Sequence, residues 1–369
     1  MSSLAQTLVD REDLREQVDT RLSAVLAEQR AVLADISGDA APLVEAWSQM
    51  LRGGKRLRAA FAYWSWRAHG GPHGADATAG IVGVGAALEL FQAAALFHDD
   101  VMDRSDTRRG VPTAHRTFAA RHRESGWSGD ADQFGLSAAI LLGDLSLVAS
   151  EDEFLRAVSE VPASAVAPAR VLFTRMRTEV TVGQYLDMHA QMLPWTDDFD
   201  ADERRAREVV RSKSARYSVE SPIAIGAALA GAAPEQLATC SAFGLPLGEA
   251  FQLRDDLLGA FGDPETTGKP AGDDLREGKR TLLVIRAMRA LDPAARTELA
   301  SMLGAPDLTA ADVAQMQQTI RGTGAADEVE ELIETLSDTA LSTLDASSLT
   351  GPAVETLSDL ARAAVQRAA

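Results

Sequence analysis

Two clusters of aspartates are the residues in this chain best suited to chemistry. In the first cluster, Asp99, Asp100 and Asp103 follow an apolar helical pattern and precede Arg108 and Arg109. On a helix, Asp99 and Asp103 would share one face, about 6 Å apart along the axis. Two carboxylates at that spacing repel by roughly 3 kcal/mol at an effective dielectric of about 20. The pattern therefore predicts a cation between them, with a solvated acidic helix end as the alternative.

The second acidic cluster lies much later in the chain. Asp255 and Asp256 close another apolar pattern, and Gln252 lies three residues before Asp255, on the same helix face. Both clusters follow a Glu-x-Phe-Gln string, at Glu89 and at Glu249, although four residues do not prove a repeat. Two facing carboxylate clusters suit a hard divalent cation, most naturally Mg²⁺ with water and substrate phosphates completing its shell.

Basic residues occur at positions that suit an anion. Gly53 and Gly54 precede Lys55 at a predicted helix start, where exposed backbone N–H groups can bind an anion. Arg58 lies three residues further on, so it can face the same anion. Lys213 interrupts an apolar pattern, as either a snorkelling surface residue or an anion ligand. The remaining candidate cations are Arg108, Arg109, Lys269 and Lys279. Arginine forks and lysine point charges together suit a diphosphate.

Two polar residues lie on an otherwise apolar helical face. Gln184 and Asp187 are three residues apart and share that face with Val180. Buried polar groups need partners, so these two either form structural hydrogen bonds or point into a polar cavity.

The sequence has no His/Cys set at zinc spacing, no P-loop and no Rossmann glycine motif after a strand. A diphosphate site built on helices is the prediction that remains.

The elements that must position these residues are helices. Helical patterns cover most of the chain, no convincing strand pattern appears, and no Pro/Ser-rich linker divides it. A long apolar helix, from about Asp76 to Asp103, ends in the first cluster. Pro162 and Pro168 are predicted to bracket a break, and Pro222 to kink a helix. We expect one all-α domain over residues 1–369, with its motif-bearing core at about 50–290 and C-terminal helices at about 293–369.

Composition limits the class of protein. The chain has 369 residues, and 46% of them are hydrophobic, which is enough for a substantial core. Its net charge of −18 argues against nucleic acid or an anionic membrane surface as a partner. The single Cys240 allows no intrachain disulfide, which favours a cytoplasmic setting. The first residues do not resemble a secretory signal. Because the most apolar stretch, 80–97, contains Glu89 and Gln92, we expect a buried core helix and no transmembrane segment.

Six motifs, in order, resemble those of the trans-isoprenyl diphosphate synthases, the polyprenyl synthetase family, and in particular geranylgeranyl diphosphate synthase. They are GGKRLR at 53–58, DDVMDRSDTRRG at 99–110, GQ-x-x-D at 183–187, Lys-Ser at 213–214, FQLRDDLLG at 251–259 and GK-x-x-x-D-D at 268–274. The resemblance covers about residues 50–290. It implies the isoprenoid synthase fold, a helical bundle around a central cavity with two aspartate-rich motifs, and a homodimer.

The resemblance also implies the reaction. Isopentenyl diphosphate would condense with dimethylallyl, geranyl or farnesyl diphosphate, with three Mg²⁺ ions in the active site. The metal ligands would be Asp99, Asp103 and Asp255, supported by Asp100 and Asp256. The allylic diphosphate would be held by Arg108, Lys213, Gln252 and Lys269. Isopentenyl diphosphate would be held by Lys55, Arg58, Gln92 and Arg109. Further substrate-binding candidates are Gln184, Ser214 and Lys279. Ionisation to an allylic carbocation needs no side-chain nucleophile.

Two positions depart from the family pattern. Gly259 stands where the last aspartate of the second motif is expected, and Asp263 is a candidate to compensate for it. Gln92 stands where the family often has histidine, but glutamine still donates a hydrogen bond. We therefore keep Gln92 in the predicted site and expect a thinner outer metal shell near Gly259.

Product length is a separate prediction. Ala95 lies one turn below Asp99 with Ala94 beside it, where members that stop at farnesyl diphosphate typically have aromatics. The next bulky residues toward the cavity floor are Phe91 and Leu88. Since a helical turn of about 5.4 Å is comparable to one isoprene unit, the main product should be geranylgeranyl diphosphate.

Four other functions were weighed. A farnesyl or longer-chain synthase differs only in where the cavity ends. A class I terpene cyclase would need an N/D-x-x-x-S/T-x-x-x-E motif, and FQLRDD stands instead. A non-catalytic partner subunit would usually lose its aspartate motifs, and both persist here. A purely structural bundle would leave the set of cations unexplained.

Overall fold

The protein is a bundle of α-helices, as the sequence predicted. The computed structural model describes residues 3–262 and 272–366. The helices of this part of the chain are α1 (Ser3–Asp10), α2 (Leu14–Ile36), α3 (Ala41–Leu51), α4 (Leu57–Ala68), α5 (Ala75–Met102), α6 (Ala114–Glu124), α7 (Ala131–Ala157), α8 (Ala163–Met192), α9 (Phe199–Val209), α10 (Ser221–Leu229), α11 (Pro234–Phe261), α12 (Asp273–Glu277), α13 (Leu282–Ala290), α14 (Pro293–Met302), α15 (Ala310–Gly322), α16 (Ala325–Asp345) and α17 (Pro352–Val365). Single 3₁₀ turns lie at Arg11–Asp13 and Gly38–Ala40, and a π-helical segment, Val210–Glu220, joins α9 to α10.

The strands of the described residues form one small hairpin after the first acidic cluster. Strands β1 (Thr107–Arg108) and β2 (Val111–Pro112) pair antiparallel, with Thr107 opposite Pro112. The connecting residues, Arg109 and Gly110, both have positive φ, 54° and 77°. This is the backbone that a two-residue hairpin loop requires. The hairpin folds Arg108 and Arg109 back toward the helix that carries the aspartates.

Helix α5 lies at the centre of the bundle and packs against α2, α4 and α7. Its side chains Leu88 and Leu90 are fully buried. Small residues allow the close approach: a Cβ on Gly83 would crowd Ala157 of α7, and a Cβ on Gly143 of α7 would overlap the ring of His98. Two described helices, Asp76–Met102 and Ala131–Ala157, are long and apolar enough to cross a membrane. For α5, burial among other helices favours the core position predicted from the sequence.

Three local predictions were wrong or incomplete. Helix α8 begins at Ala163 and continues through Pro168, so the predicted break ends at Pro162. Pro168 lies in the second turn, where its missing N–H costs a single backbone hydrogen bond. Pro222 directly follows the π-helical segment in a helical run that continues from Phe199 to Leu229, so the regular α-helical hydrogen bonding is interrupted just before this proline. Within the predicted loop before Lys279, Asp273–Glu277 forms the short helix α12.

Candidate active site

Asp99 of the first acidic cluster and Asp255 and Asp256 of the second line one cavity of about 940 Å³, whereas Asp100 and Asp103 are not among its lining residues. Its walls come from α4, α5, α8, the π-helical segment, α11 and the residues around α12 and the start of α13. The sequence-predicted residues that line it are Lys55, Arg58, Gln92, Ala95, Asp99, Arg108, Arg109, Gln184, Lys213, Ser214, Gln252, Asp255, Asp256 and Lys279. Helices distant in sequence thus bring most of the predicted residues to one place.

Lys213 links the first acidic cluster to α8. Its Nζ lies 2.7 Å from Asp187 Oδ2 and 3.2 Å from Asp99 Oδ1. Burial alone would raise the pKa of Asp99, but Lys213, Lys279 and Arg108 outweigh burial and hold it well below its usual value. Lys213 therefore faces the cavity, and its interpretation as a snorkelling surface residue is wrong. Asp187, which the sequence left between two roles, is a structural partner at the cavity wall.

Lys279 makes the equivalent connection for Asp103. Its Nζ lies 3.3 Å from Asp103, 3.4 Å from Asp274 and 2.5 Å from Glu277. Burial and the neighbouring Asp99 raise the pKa of Asp103. The acidic neighbours outweigh burial at Lys279 and raise its pKa well above the ordinary value. The two lysine ammonium groups thus lie between carboxylates, where the sequence predicts that a cation is needed.

Asp100 holds Arg108 and does not point freely into the cavity. Arg108 Nε donates to Asp100 Oδ1 at 2.7 Å, and Arg108 Nη2 lies 3.3 Å from Asp99 Oδ2. The Asp100 side chain is only 1% exposed. Burial of the Arg108 guanidinium is outweighed by Asp100 and Asp99, which raise its pKa. This geometry agrees with a supporting role for Asp100.

The second cluster has three carboxylates, and the sequence analysis assigned only two. Asp255 and Asp256 line the cavity from α11, and Asp274 joins them from α12. Gln252 Nε2 donates to Asp256 Oδ1 at 2.7 Å. Burial, followed by the charges of Asp274 and Asp255, raises the pKa of Asp256 to about 8. The motif GK-x-x-x-D-D was the signal that could have identified Asp274.

The guanidinium groups of Arg56, Arg58 and Arg109 line the same cavity, and Arg108 lies near enough to Arg109 to affect it. Burial, Arg108, Arg56 and Arg58 all lower the pKa of Arg109. Arg109 Nη1 donates to the carbonyl oxygen of Arg52 at 2.9 Å. Arg58 Nη2 donates to Ser218 Oγ at 2.8 Å. Such like charges repel one another unless an anion lies among them, so the geometry favours an anion subsite.

Arg56, which the sequence analysis did not assign, holds the GGKRLR segment in place. It is buried, with a left-handed backbone (φ 54°) immediately before α4. Its guanidinium lies 3.1 Å from Glu89 of α5 and donates to Asp19 at 2.7 Å. A Cβ on Gly54 would overlap this guanidinium, which explains the second glycine. Breaking such a buried ion pair costs roughly 3–5 kcal/mol, so Arg56 fixes the start of α4 that carries Arg58.

The second Glu-x-Phe-Gln string has a comparable structural role. Glu249 is buried on α11 and accepts hydrogen bonds from Arg211 Nε at 2.7 Å and Arg207 Nη2 at 2.9 Å. These arginines lie on α9 and the π-helical segment. Each string thus contributes a buried glutamate that ties an aspartate-bearing helix to a neighbour carrying cations.

Comparisons with known proteins agree with this geometry. The polyprenyl synthetase family model matches residues 41–320. The chain belongs to the polyprenyl synthetase family. It is 35% identical over 255 residues to geranylgeranyl diphosphate synthase of Sulfolobus acidocaldarius, covering 69% of each chain. It is 34% identical to geranylfarnesyl diphosphate synthase of Aeropyrum pernix, covering 75% of this chain and 79% of the relative.

A solved structure is similar along nearly the whole length. It is geranylgeranyl pyrophosphate synthase from Corynebacterium glutamicum, complexed with isoprenyl diphosphate and magnesium. The TM-score is 0.88 at 37% identity, covering 96% of this chain and 99% of that one. This polyprenyl synthetase is therefore a prenyltransferase with an all-α fold, as the motif resemblance implied.

The carboxylates of this polyprenyl synthetase suit Mg²⁺ that is held partly by water and substrate phosphates. They do not suit a metal ion held by protein side chains alone. Among the described residues, no three His, Cys, Asp or Glu side chains converge as a metal site. Mg²⁺ typically takes only one or two carboxylates and completes its octahedron with water and substrate phosphates. Asp99 lines the cavity, with its Oδ1 in an ion pair with Lys213 at 3.2 Å, and Asp255 lines the same cavity. Asp103 reaches the site through Lys279.

The predicted chain-length residues are only partly at the cavity. Ala95 lines it, together with Leu96. Among the described residues, the lining does not include Ala94, Phe91 or Leu88, which are buried among helices. The Phe91 ring instead meets the edge of Tyr217 at a centroid distance of 5.5 Å, and Tyr217 lines the cavity. Phe91, one of the predicted floor residues, thus packs on the cavity-lining Tyr217, which the sequence analysis did not assign.

Two residues of the prediction fall outside the described part of the chain. They are Lys269, expected at the allylic diphosphate, and Asp263, the candidate to compensate for Gly259. Further cavity-lining residues that sequence analysis did not assign are Asp274, Tyr217, Ser218 and Arg280. Lys213 and Tyr217 are four residues apart, and this spacing was the available signal for Tyr217.

Proposed function

We propose that this polyprenyl synthetase is a Mg²⁺-dependent trans-prenyl diphosphate synthase. It condenses isopentenyl diphosphate with an allylic diphosphate, and its main product is geranylgeranyl diphosphate. The observation that carries the proposal is one cavity lined both by carboxylates of the two acidic clusters and by Arg58 and Arg109. The reaction needs both, because one diphosphate would be bound through metal ions on the carboxylates and the other directly by arginines.

The acidic side is the proposed site of the allylic diphosphate. The residues that would hold Mg²⁺ are Asp99, Asp103 and Asp255, with Asp274 beside the second pair. When bound, Mg²⁺ would neutralise the charge that develops on the leaving diphosphate. Three ions are proposed from the family resemblance, and the magnesium in the related Corynebacterium structure supports the metal. Lys213 and Arg108 would add fixed positive charge where the C–O bond breaks, with Gln252 and Lys269 as further ligands.

The arginine side is the proposed site of isopentenyl diphosphate. Arg58 and Arg109 would bind its diphosphate as planar forks, Lys55 as a point charge and Gln92 as a hydrogen-bond donor. The double bond of this substrate would then attack C1 of the allylic cation. A proton is lost afterwards, with the released diphosphate as its acceptor. Gln184, Ser214 and Lys279 line the same cavity and are proposed as further substrate-binding residues.

The product length rests on Ala95. Its small side chain leaves the cavity wall open one turn below Asp99. The curated relatives include both a geranylgeranyl and a geranylfarnesyl synthase. Geranylgeranyl diphosphate is proposed because the next bulky residues below that turn on α5 are Phe91 and Leu88, and Phe91 packs on the cavity-lining Tyr217.

A second copy of the chain is the proposed partner. Exposed apolar side chains recur every seven residues along one face of α7, at Phe134, Leu141, Val148 and Leu155. A contiguous exposed apolar face of this kind marks an interaction surface. Helix α7 is long and apolar enough to cross a membrane, and 44% of its most apolar window is buried. In a homodimer, the second copy would cover the exposed apolar face of α7.

The remaining proposals concern the whole chain. We propose a single domain, since one hydrophobic core extends from α1 through α17 in the described residues. The single cysteine, Cys240, and the net charge of −18 support a cytoplasmic enzyme without a nucleic-acid partner.

One assay tests the function. The purified protein is incubated with Mg²⁺, isopentenyl diphosphate and, in turn, dimethylallyl, geranyl and farnesyl diphosphate, and the products are sized. A twenty-carbon diphosphate is expected. No condensation with any primer would contradict the proposed function, while a product of another length would contradict only the proposed product.

A further inference from the structure

We propose that Tyr217 and Ser218 are positioning residues for Arg58. Side chains of the one π-helical segment thereby position groups at both diphosphate subsites. This inference rests on the proposed function, in which Arg58 binds isopentenyl diphosphate. Lys213, in the same segment, lies between Asp99 and Asp187 on the allylic side. One short segment thus contacts the groups of both subsites.

The π-helical backbone is what allows this arrangement. An α-helix turns about 100° per residue, so five residues would rotate Ser218 by about 140° away from Lys213. A π-helix turns about 80° per residue, which places Ser218 and Tyr217 each about 40° from Lys213, on either side of it. Lys213, Ser214, Tyr217 and Ser218 accordingly all line the cavity. Ordinary α-helical spacing would direct Ser218 away from it.

Arg58 is held by two residues of this segment. Its guanidinium carbon lies 4.0 Å from the centre of the Tyr217 ring, and its Nη2 donates to Ser218 Oγ at 2.8 Å. Its Nε has no hydrogen-bond partner among the described residues. The two contacts fix the plane of the guanidinium, and Arg58 lines the cavity in which the anion would bind.

The ring of Tyr217, and not its hydroxyl, provides the contact. Its Oη has no hydrogen-bond partner among the described residues, and burial raises the pKa of the phenol, which stays neutral. The ring also packs against Phe91 in a T-shaped contact at a centroid distance of 5.5 Å. Phe91 therefore supports the ring, and the ring supports Arg58. Phenylalanine at position 217 should do the same.

The segment is itself rigidly supported. A Cβ on Gly183 of α8 would overlap the backbone nitrogen of Lys213, so α8 packs directly against the π-helical turn. On the other face, Gly248 of α11 approaches the backbone of Ala215 equally closely. Because the segment lies between two helices in backbone contact, its side chains keep a fixed relation to one another.

The test compares the KM for isopentenyl diphosphate with the KM for the allylic primer. Tyr217→Leu should raise the first by roughly tenfold, the size expected for a lost buried cation–π contact, and change the second by less than about twofold. Ser218→Ala should raise the first by roughly threefold. Tyr217→Phe should behave like the wild type. Equal changes in both KM values would overturn the proposal.

A double-mutant cycle separates positioning from general damage. In an Arg58→Ala background, Tyr217→Leu should add less than about twofold to the KM for isopentenyl diphosphate, because the group that it positions is gone. A full additional tenfold would contradict the inference. The matched control is Phe154→Leu, which removes a buried aromatic stacked on Phe173 at 4.2 Å and should leave both KM values unaltered.

The outcomes distinguish this inference from the proposed function. A wild-type enzyme without condensation activity would contradict the function, whereas an active enzyme with an unaltered Tyr217→Leu KM would contradict only the positioning. If Tyr217→Leu fails to fold, Ser218→Ala and its cycle with Arg58→Ala decide the question. A KM for isopentenyl diphosphate unaltered by Ser218→Ala would then overturn it.

Discussion

The carboxylate of Asp274 lies where a side chain on Gly259 would be. A Cβ on Gly259 would overlap Asp274 Oδ2. Asp274 comes from α12 and Gly259 from α11, so the second acidic cluster takes its third carboxylate from a different helix. This contact gives a physical reason for glycine at position 259, where the family pattern has aspartate.

Gly259 and Asp274 should therefore behave as a coupled pair. Gly259→Asp should lower kcat by roughly tenfold or more, because its side chain displaces Asp274 and adds a like charge. The double variant Gly259→Asp, Asp274→Ala should have a higher kcat than Asp274→Ala alone. Steady-state kinetics measures the coupling, and simple additivity of the two effects would contradict it.

The metal assignment predicts a large loss of turnover. Asp99→Ala or Asp255→Ala should reduce kcat by about two orders of magnitude or more, since removing a charged transition-state contact in a buried site costs several kcal/mol. Circular dichroism should show an intact fold. Asp338→Ala, on the exposed face of α16, is the matched control and should retain full activity. Near-normal turnover in either variant would rule out the metal assignment.

Asp256 predicts a pH dependence of stability in the absence of Mg²⁺. Its pKa is raised to about 8 in the folded protein, while an unfolded aspartate has a pKa of about 3.9. The folded state therefore binds this proton more tightly. Asp256 therefore contributes to the free energy of unfolding. This contribution is fully present below about pH 4 and is lost as the pH rises to about 8.

The variant Asp256→Asn isolates that contribution. Urea unfolding in the presence of a chelator, at several pH values between 4 and 9, should give a shallower pH dependence for the variant than for the wild type. An identical dependence in both proteins would show that Asp256 does not bind a proton in this range.

Ala95 predicts the product length. Ala95→Phe should shorten the main product by one isoprene unit or more, because the added ring fills the cavity wall one turn below Asp99. Chromatographic sizing of the dephosphorylated products measures the change. An unaltered product would place the end of the cavity at another helix.

The apolar face of α7 predicts the oligomeric state. Leu141→Glu with Val148→Glu places two charges on the exposed face and should convert a dimer to a monomer. Light scattering after size-exclusion chromatography measures the mass. Asp152→Lys, an exposed charge change on the same helix, is the control. A wild-type monomer would contradict the proposed homodimer.

Local spacing was enough to predict much of this protein. The helical period identified α5 to within one residue at each end, and the ordered motifs identified the family and most of the predicted residues that line the cavity. Periodicity works here because a helix places residues three and four apart on one face, whatever lies beyond it. It also indicated that Asp99 and Asp255 end apolar helices, and hence that they border the core.

The tertiary structure decided which distant groups meet. Asp274 fills the space above Gly259, and the Tyr217 ring lies against both Arg58 and Phe91. Neither contact is written in local spacing, because each depends on how helices far apart in the chain pack together. The π-helical turn at Val210–Glu220 is a further example, since its identity depends on α8 and α11 pressing on its backbone. The sequence by itself determined the helices and the chemical groups they carry, and packing determined which of those groups face one another across the cavity.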